Sequence, residues 1–301
     1  MKAVSYSSYG GPEVLETTDV PLPEPVGNKV RLSVRAAGVN PIDWKLRSGS
    51  MADVMSVQFP KIPGNEVAGV IDAAGATATG SVIGDEVFGW SDTGAYAEYA
   101  LATVVVPKPS SLSWTDAATI PVAGEAAVRG LRLLDLQRGE TLLLNGASGS
   151  VGTIAAQLAL RAGVTVIGTA SERHHGALRE LGVIPTTYGD GLVDRVRELA
   201  PDGVDAVLDT GHGGLPAAME LRGGTDRIVT LSDPAAFELG ITFSSGTSAD
   251  WSAEVLRRLG DLVATDQLTL PPARTFPLAD AAEAHRAGET GGARGKIILH
   301  P

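Results

Sequence analysis

Three glycines, Gly146, Gly149 and Gly152, follow the apolar run Leu142, Leu143 and Leu144 and lead into a helical pattern, an arrangement that can bind an anion with main-chain groups. A pyrophosphate must approach bare backbone, because side chains hold it away, and the N–H groups at a helix N-terminus then supply donors and partial positive charge. The dinucleotide fingerprint is G-x-G-x-x-G between a strand and a helix. Here Ala147 takes the place of its first glycine, with Gly149 and Gly152 in the other two. Gly146, Ala147, Ser148, Gly149, Ser150, Val151 and Gly152 are therefore the candidate phosphate loop. A tight strand-to-helix turn without a ligand is the alternative.

The next strand bears on that choice. VTVIGT (164 to 169) reads as the second strand, and its end decides which nucleotide fits, since an NAD site places a carboxylate there for the ribose hydroxyls. This strand runs into Ala170, Ser171, Glu172 and Arg173. A hydroxyl and a guanidinium thus stand where a ribose 2′-phosphate would lie, which points to NADPH. Glu172 is expected to face solvent in the first turn of a helix capped by Ser171, with His174 on that surface helix near the 2′-phosphate. If Ser171 is only a cap and Arg173 only a solvated charge, the NADPH preference loses its basis.

The elements that must position these residues alternate. From 141 onward, strands at 164–169, 204–210, 227–232 and 241–245 are separated by helices at 150–163, 172–181 and 192–200, which predicts parallel βαβ units. Val151, Ile154, Ala155, Leu158 and Ala159 recur with helical spacing and form the inner face of the first of these helices. Residues 2 to 109 differ: short alternating strands at 2–6, 14–20, 30–34, 65–73, 86–90 and 96–106 are punctuated by Gly-Asp and Pro-Lys-Pro. An alanine-rich helix at 116–134 joins the two textures. After a helix from 251 to 268, the tail holds a helix at 279–286 and a strand at 296–299 that returns to the first domain. The expectation is an α/β protein with a β-rich domain at 1–116 and 265–301 and an inserted Rossmann-like, doubly wound parallel sheet at 117–264.

Composition narrows the classes. With 301 residues there is room for two cores, and with no cysteine there is no disulfide, thiolate metal site or cysteine nucleophile. A net charge of −11 argues against nucleic acid, which demands concentrated positive surface. No apolar leader and no run of roughly eighteen apolar residues is present, so a soluble, cytoplasmic protein is expected, with no membrane partner.

Collinear motifs carry a resemblance over nearly the whole chain: AAGVNPIDWKLRSG (36 to 49), PGNEVAGVI (63 to 71), GDEVFG (84 to 89), AATIPVAGEAA (117 to 127), NGASGSVG (145 to 152), VLDTGHGG (207 to 214) and ARGKIIL (293 to 299). The chain resembles the zinc-free medium-chain dehydrogenase/reductase family, and within it the NADPH-dependent quinone oxidoreductases. That resemblance implies a GroES-like first domain and places Asn40, Asp43 and Lys45 around the acceptor pocket. Asn40 would donate to a carbonyl and Lys45 would stabilise an enolate or hydroquinone anion, while Asp43 either takes part or fixes its loop. In zinc-dependent relatives the positions matched by Asn40 and Asn65 are cysteine and histidine ligands. Together with five histidines that all lie outside the β-rich motifs, this predicts no metal.

Without a Lewis acid, alkoxide oxidation is disfavoured, while quinones and α,β-unsaturated carbonyls accept hydride directly. The implied activity is therefore NADPH-dependent quinone reduction. Enone, 2-alkenal or enoyl C=C reduction is its neighbour, and a non-catalytic NADPH-binding sensor or structural protein is the alternative of another class. The resemblance further implies cofactor contacts from Tyr188, from Phe243 to Ser245, and from Arg294 and Lys296 over the phosphates. Trp44, Phe88 and Trp90 either line an aromatic slot or belong to the core. A homodimer through the edge strand at 241–245 is expected.

Overall fold

Glycine and proline bound each short strand of the first third, so these strands pair across turns into an antiparallel sheet. The computed structural model describes residues 1–80, 82–211, 213–291 and 295–301. The chain divides into two units, one made of Met1–Val122 with Trp251–Pro301 and the other of Ala123–Asp250. In the first unit β1 (Lys2–Ser5) pairs with β2 (Glu16–Asp19), and β3 (Val30–Val39) is followed by α1 (Pro41–Ser48), β4 (Glu66–Ala74), β5 (Glu86–Trp90), β6 (Tyr99–Ala102) and β7 (Val105–Pro107). β3 is the spine. β4 runs along one side of it, and on the other side β6 pairs with Val30 to Ser33. Val30, Leu32 and Val34 alternate inward as read from the sequence, but a register shift between Val34 and Ala36 leaves both Ala36 and Ala37 buried.

α2 (Trp114–Leu134) carries the chain out of the first unit. The second unit is a six-stranded parallel sheet. β8 (Thr141–Asn145), α3 (Ser150–Arg161), β9 (Thr165–Thr169), α4 (His175–Glu180), β10 (Ile184–Thr186) and α5 (Leu192–Leu199) form its first half. β11 (Ala206–Asp209), α6 (Leu215–Arg222), β12 (Ile228–Thr230), α7 (Ala236–Leu239) and β13 (Thr242–Phe243) form the second. The strand order is β10-β9-β8-β11-β12-β13, so chain order reverses between β8 and β11, and ligands of such sheets bind outside the strand ends at that reversal. Leu142, Leu143 and Leu144 are fully buried, as a strand covered on both faces requires. β10 escapes the sequence pattern because Pro185 interrupts it, which an edge strand tolerates. The helix expected from Glu172 is instead a 3₁₀ turn at Glu172–His174 followed by the six-residue α4.

The chain then returns with α8 (Ala253–Ala264), β14 (Ala273–Pro277), α9 (Ala281–Glu289) and β15 (Lys296–His300). α8 lies on β7, where Gly260 lets the Phe88 ring approach: a Cβ there would stand 2.9 Å from the ring. β15 completes the neighbourhood of β3, pairing antiparallel with Ala37 to Val39. The core gathers Leu32, Val34, Val67, Ile71, Phe276 and Ile297. Among the described residues no helix is long and apolar enough to cross a membrane.

Two glycines test this packing. A Cβ on Gly152 collides with the Gly146 carbonyl oxygen and lies 2.7 Å from Ala147 Cα, both backbone atoms, whereas one on Gly176 in α4 meets nothing. Gly152→Ala is expected to cost about 1–3 kcal/mol in urea unfolding, and Gly176→Ala to stabilise by about 0.5 kcal/mol.

Candidate functional site

In the second unit the chain leaves β8 at Asn145 and turns through Gly146 at φ +77°, a left-handed conformation that suits glycine. Two N–H groups of the turn are committed inward: Gly146 N donates to Thr169 Oγ1 at 3.1 Å and Ala147 N to the Thr169 carbonyl at 3.0 Å. The Ala147 methyl is buried, and a Cβ on Gly168 would come within 2.6 Å of it. Ala147 therefore braces the turn against β9 and presents no group to a ligand, contrary to the sequence expectation. Ser148, Gly149, Ser150 and Val151 reach the surface. The first intrahelical bond of α3 runs from Thr153 N to the Gly149 carbonyl. The N–H groups of Val151 and Gly152 precede it, at the positive end of the helix.

The same corner carries a buried polar pair. Asn145 and Asp209 are in register at the ends of β8 and β11, at the reversal of strand order. Asn145 Nδ2 and Asp209 Oδ1 are buried with no hydrogen-bond partner among the described residues, although Asp209 Oδ2 accepts from the Thr230 hydroxyl at 2.7 Å. The Asn145 amide helps hold the Asp209 carboxylate, whose pKa burial raises, and the bare glycine backbone beside them, with the leading N–H groups of α3, fits a diphosphate.

At the end of β9, Ser171 is half-buried and makes no capping bond, and Glu172 and Arg173 are exposed. His174 is buried and its Nε2 accepts from Arg173 Nε at 3.2 Å, so it packs inward and does not lie on a surface helix as expected. Tyr188 is 65% exposed beyond β10. Phe243 packs on Phe237 with ring centres 4.8 Å apart, and Ser245 is exposed. Between them Ser244 is fastened by Arg129, whose Nη1 donates to its carbonyl at 2.7 Å and its hydroxyl at 2.5 Å. Arg129 is a residue that the sequence reading missed. Its signal was the i,i+4 pair with Glu125, now seen as a 2.7 Å ion pair on α2. Arg294 lies outside the described residues.

In the first unit, β3 delivers Asn40 to the head of α1, where Pro41 occupies the first helical turn. The Asn40 side chain also reaches beyond the helix. Its Nδ2 donates to Glu66 Oε1 at 2.7 Å, and its Oδ1 accepts from Lys296 Nζ at 2.5 Å. Lys296 also pairs with Glu66 Oε1, and Glu66 Oε2 accepts from Val122 N at 2.9 Å, beside Pro121 in α2. Glu66 and Lys296 stand on strands flanking β3, and Gly38 between them makes the pairing possible, because a Cβ there would overlap the Glu66 carboxylate. Lys296 is 2% exposed, so its expected reach over the cofactor phosphates is corrected: a desolvated ammonium stays with its buried carboxylate.

Asp43 is committed to the framework. Its Oδ2 accepts from Asn40 N at 2.8 Å and from Tyr96 Oη at 3.2 Å, and its Oδ1 accepts from Gly64 N at 3.3 Å. Burial pushes its pKa up to about 6 despite the Asn40 N–H bond. Lys45 is half-buried on α1, and among the described residues no bond joins its ammonium to this cluster. Phe88 and Trp90 are core, the latter stacked on Trp251 with centres 5.4 Å apart, so neither lines a slot. Trp44 packs edge-on against His285. Among the described residues no group of three His, Cys, Asp or Glu side chains stands where it could hold a metal ion. Lys296→Met, which strands the buried Glu66 charge, is expected to cost about 3 kcal/mol or more in denaturant unfolding, whereas Lys2→Met at an exposed pair leaves the unfolding midpoint unchanged.

Comparison with known proteins agrees with this architecture. Residues 27–110 match the alcohol dehydrogenase GroES-like domain, and residues 183–299 match the family model described as zinc-binding dehydrogenase. The human quinone oxidoreductase is 32% identical over 99% of this chain and 97% of its own length. A 2-methylene-furan-3-one reductase of Solanum lycopersicum is 30% identical over 100% of this chain and 79% of its own. A mycobacterial protein solved in complex with NADPH superposes with a TM-score of 0.87 at 28% identity, covering 100% of both chains.

Proposed function

Because the chain belongs to the medium-chain dehydrogenase/reductase family, in its quinone oxidoreductase-like branch, we propose that it is an NADPH-dependent oxidoreductase that reduces a quinone without a metal ion. The observation that carries the metal-free reading is the Asn40 carboxamide, already bonded at both ends to Glu66 and Lys296, where the sequence resemblance puts a thiolate ligand in zinc-dependent relatives. A neutral amide whose oxygen and one N–H are already committed is a poor ligand but a well-oriented donor through its second N–H.

When bound, NADPH supplies a hydride. The chain's own residues bind and orient. The N–H groups of Val151 and Gly152 take the diphosphate at the positive end of α3, with half-buried Ser148 and Ser150 and exposed Gly149 alongside and Gly146 shaping the turn. Ser171 and Arg173 take the 2′-phosphate, with Tyr188 over the adenosine and Phe243 to Ser245 at the nicotinamide amide. In the first unit the second Nδ2–H of Asn40 donates to the acceptor carbonyl. Lys296 on Oδ1 polarises that amide and so strengthens the donor. Lys45 supplies positive charge toward the oxygen on which negative charge develops.

The tomato relative favours a second reading, reduction of an activated C=C bond, in which the same donor would hold an enone carbonyl. NADPH oxidation against a panel of quinones and trans-2-enals separates the readings. Quinone turnover is expected; enal turnover alone establishes the second reading, and binding without turnover makes the protein a sensor. Arg173→Ala is expected to raise the NADPH KM about ten- to a hundred-fold and to leave NADH within about two-fold, since a charge-assisted bond to the 2′-phosphate is lost. Equal losses would place Arg173 elsewhere.

We take the working form to be a cytoplasmic homodimer paired through β13, the short outer strand whose one sheet neighbour is β12. Sedimentation at micromolar concentration is expected to give twice the 30.9 kDa chain mass; a single-chain mass removes the idea.

A further inference from the structure

Behind Asp43 lies a row of buried polar side chains that the reading above does not use. Tyr96, in the loop before β6, donates to Asp43 Oδ2. His285 of α9 meets the Tyr96 hydroxyl through Nε2 at 3.1 Å and Arg47 Nη1 through Nδ1 at 3.3 Å. Arg47 also donates from Nε to the Gly10 carbonyl at 3.2 Å and from Nη2 to Glu289, the one member of the row that reaches solvent. Arg47, Tyr96 and His285 are almost completely buried.

The donors fix the direction of this row. Arginine has no acceptor, so Nδ1 of His285 must be the bare nitrogen and Nε2 carries the proton. Nε2–H then donates to Tyr96 Oη, and the Tyr96 proton points to Asp43. We propose that Arg47, His285 and Tyr96 are positioning residues forming a one-way chain of donors that keeps Asp43 a carboxylate, and through its bond to Asn40 N holds the acceptor-binding amide in place. The functional half of this inference rests on the proposed role of Asn40.

The reverse direction is closed. A protonated Asp43 would need an acceptor, yet Asn40 N and Gly64 N are donors. Tyr96 accepts only if its own proton turns to Nε2, which requires a proton on Nδ1, where Arg47 already donates. Charge around Asp43 is mixed: Glu66 on β4 opposes its ionisation, Lys296 on β15 favours it, Arg47 on α1 lies at the far side of His285, and Tyr6 after β1, Tyr96 and His285 are neutral neighbours. Burial, then the Arg47 charge, push the His285 pKa down to about 3, in keeping with a neutral ring throughout the working range.

Two measurements test the chain. In ¹⁵N-histidine-labelled wild-type protein, with the His285 signals identified by their loss in His285→Gln, Nε2 is expected to be protonated and Nδ1 bare, unchanged from pH 5 to 8. A proton on Nδ1, or titration in that range, overturns the proposal whether or not the enzyme reduces quinones. In turnover of NADPH with a quinone, Tyr96→Phe and His285→Leu are expected to lower kcat/KM for the quinone about ten-fold with the NADPH KM unchanged. Both should also move the acid limb of the pH profile upward by about one unit, because the ionised carboxylate loses a donor. His285→Gln, which offers an oxygen to Arg47 and an N–H to Tyr96, restores both values. Loss of melting temperature without a shifted acid limb, or no rescue by glutamine in a folded protein, would make the row structural only.

Discussion

The first unit depends on one desolvated charge pair, Lys296 with Glu66. Neither group is tolerable alone in that interior, and removing either leaves an uncompensated charge. Each is satisfied because the partners come from strands on the two sides of β3, and because Gly38 leaves the space through which the Glu66 side chain crosses. Asn40 bridges the pair with both ends of its amide, and Glu66 spends its second oxygen on Val122 N. The pair is thus hydrogen-bonded around its periphery, the condition under which a buried ion pair can be carried at little net cost.

What this geometry gives chemically is orientation. An asparagine at a helix start ordinarily turns its side chain to the helix N–H groups. Here Asp43 reciprocates by accepting the Asn40 N–H, while the Asn40 amide also reaches Glu66 and Lys296. Its orientation is thereby fixed by the protein's own side chains. Preorganised donors of this kind act without reorganisation when charge develops on an acceptor oxygen.

The second unit solves a different problem, exposing main-chain donors without collapsing the turn that carries them. Gly146 supplies the left-handed step, Gly152 lets α3 close over the turn, and Ala147 locks it to β9 through Thr169. Arg129 performs a similar service for the segment after β13 by holding Ser244. In both places a buried residue sets the shape of the segment beside it.

The parallel sheet, its glycine turn, the β-rich character of the first third and the alanine-rich connecting helix are legible from the sequence, because periodicity and turn chemistry are local properties. β10 and the 3₁₀ turn at Glu172–His174 are not, since proline in one and the three-residue length of the other blur the pattern. Side-chain destinations are least legible. Lys296 and His285 have the composition of surface residues, and Tyr96 that of an ordinary strand aromatic; their roles depend on partners far away in the chain, as with Asn40, 256 positions from Lys296. The sequence by itself determined which segments become strands and helices and where bare backbone can meet an anion. Only the tertiary structure decided which charges leave water together, because that depends on strand order across β3, which no local spacing encodes.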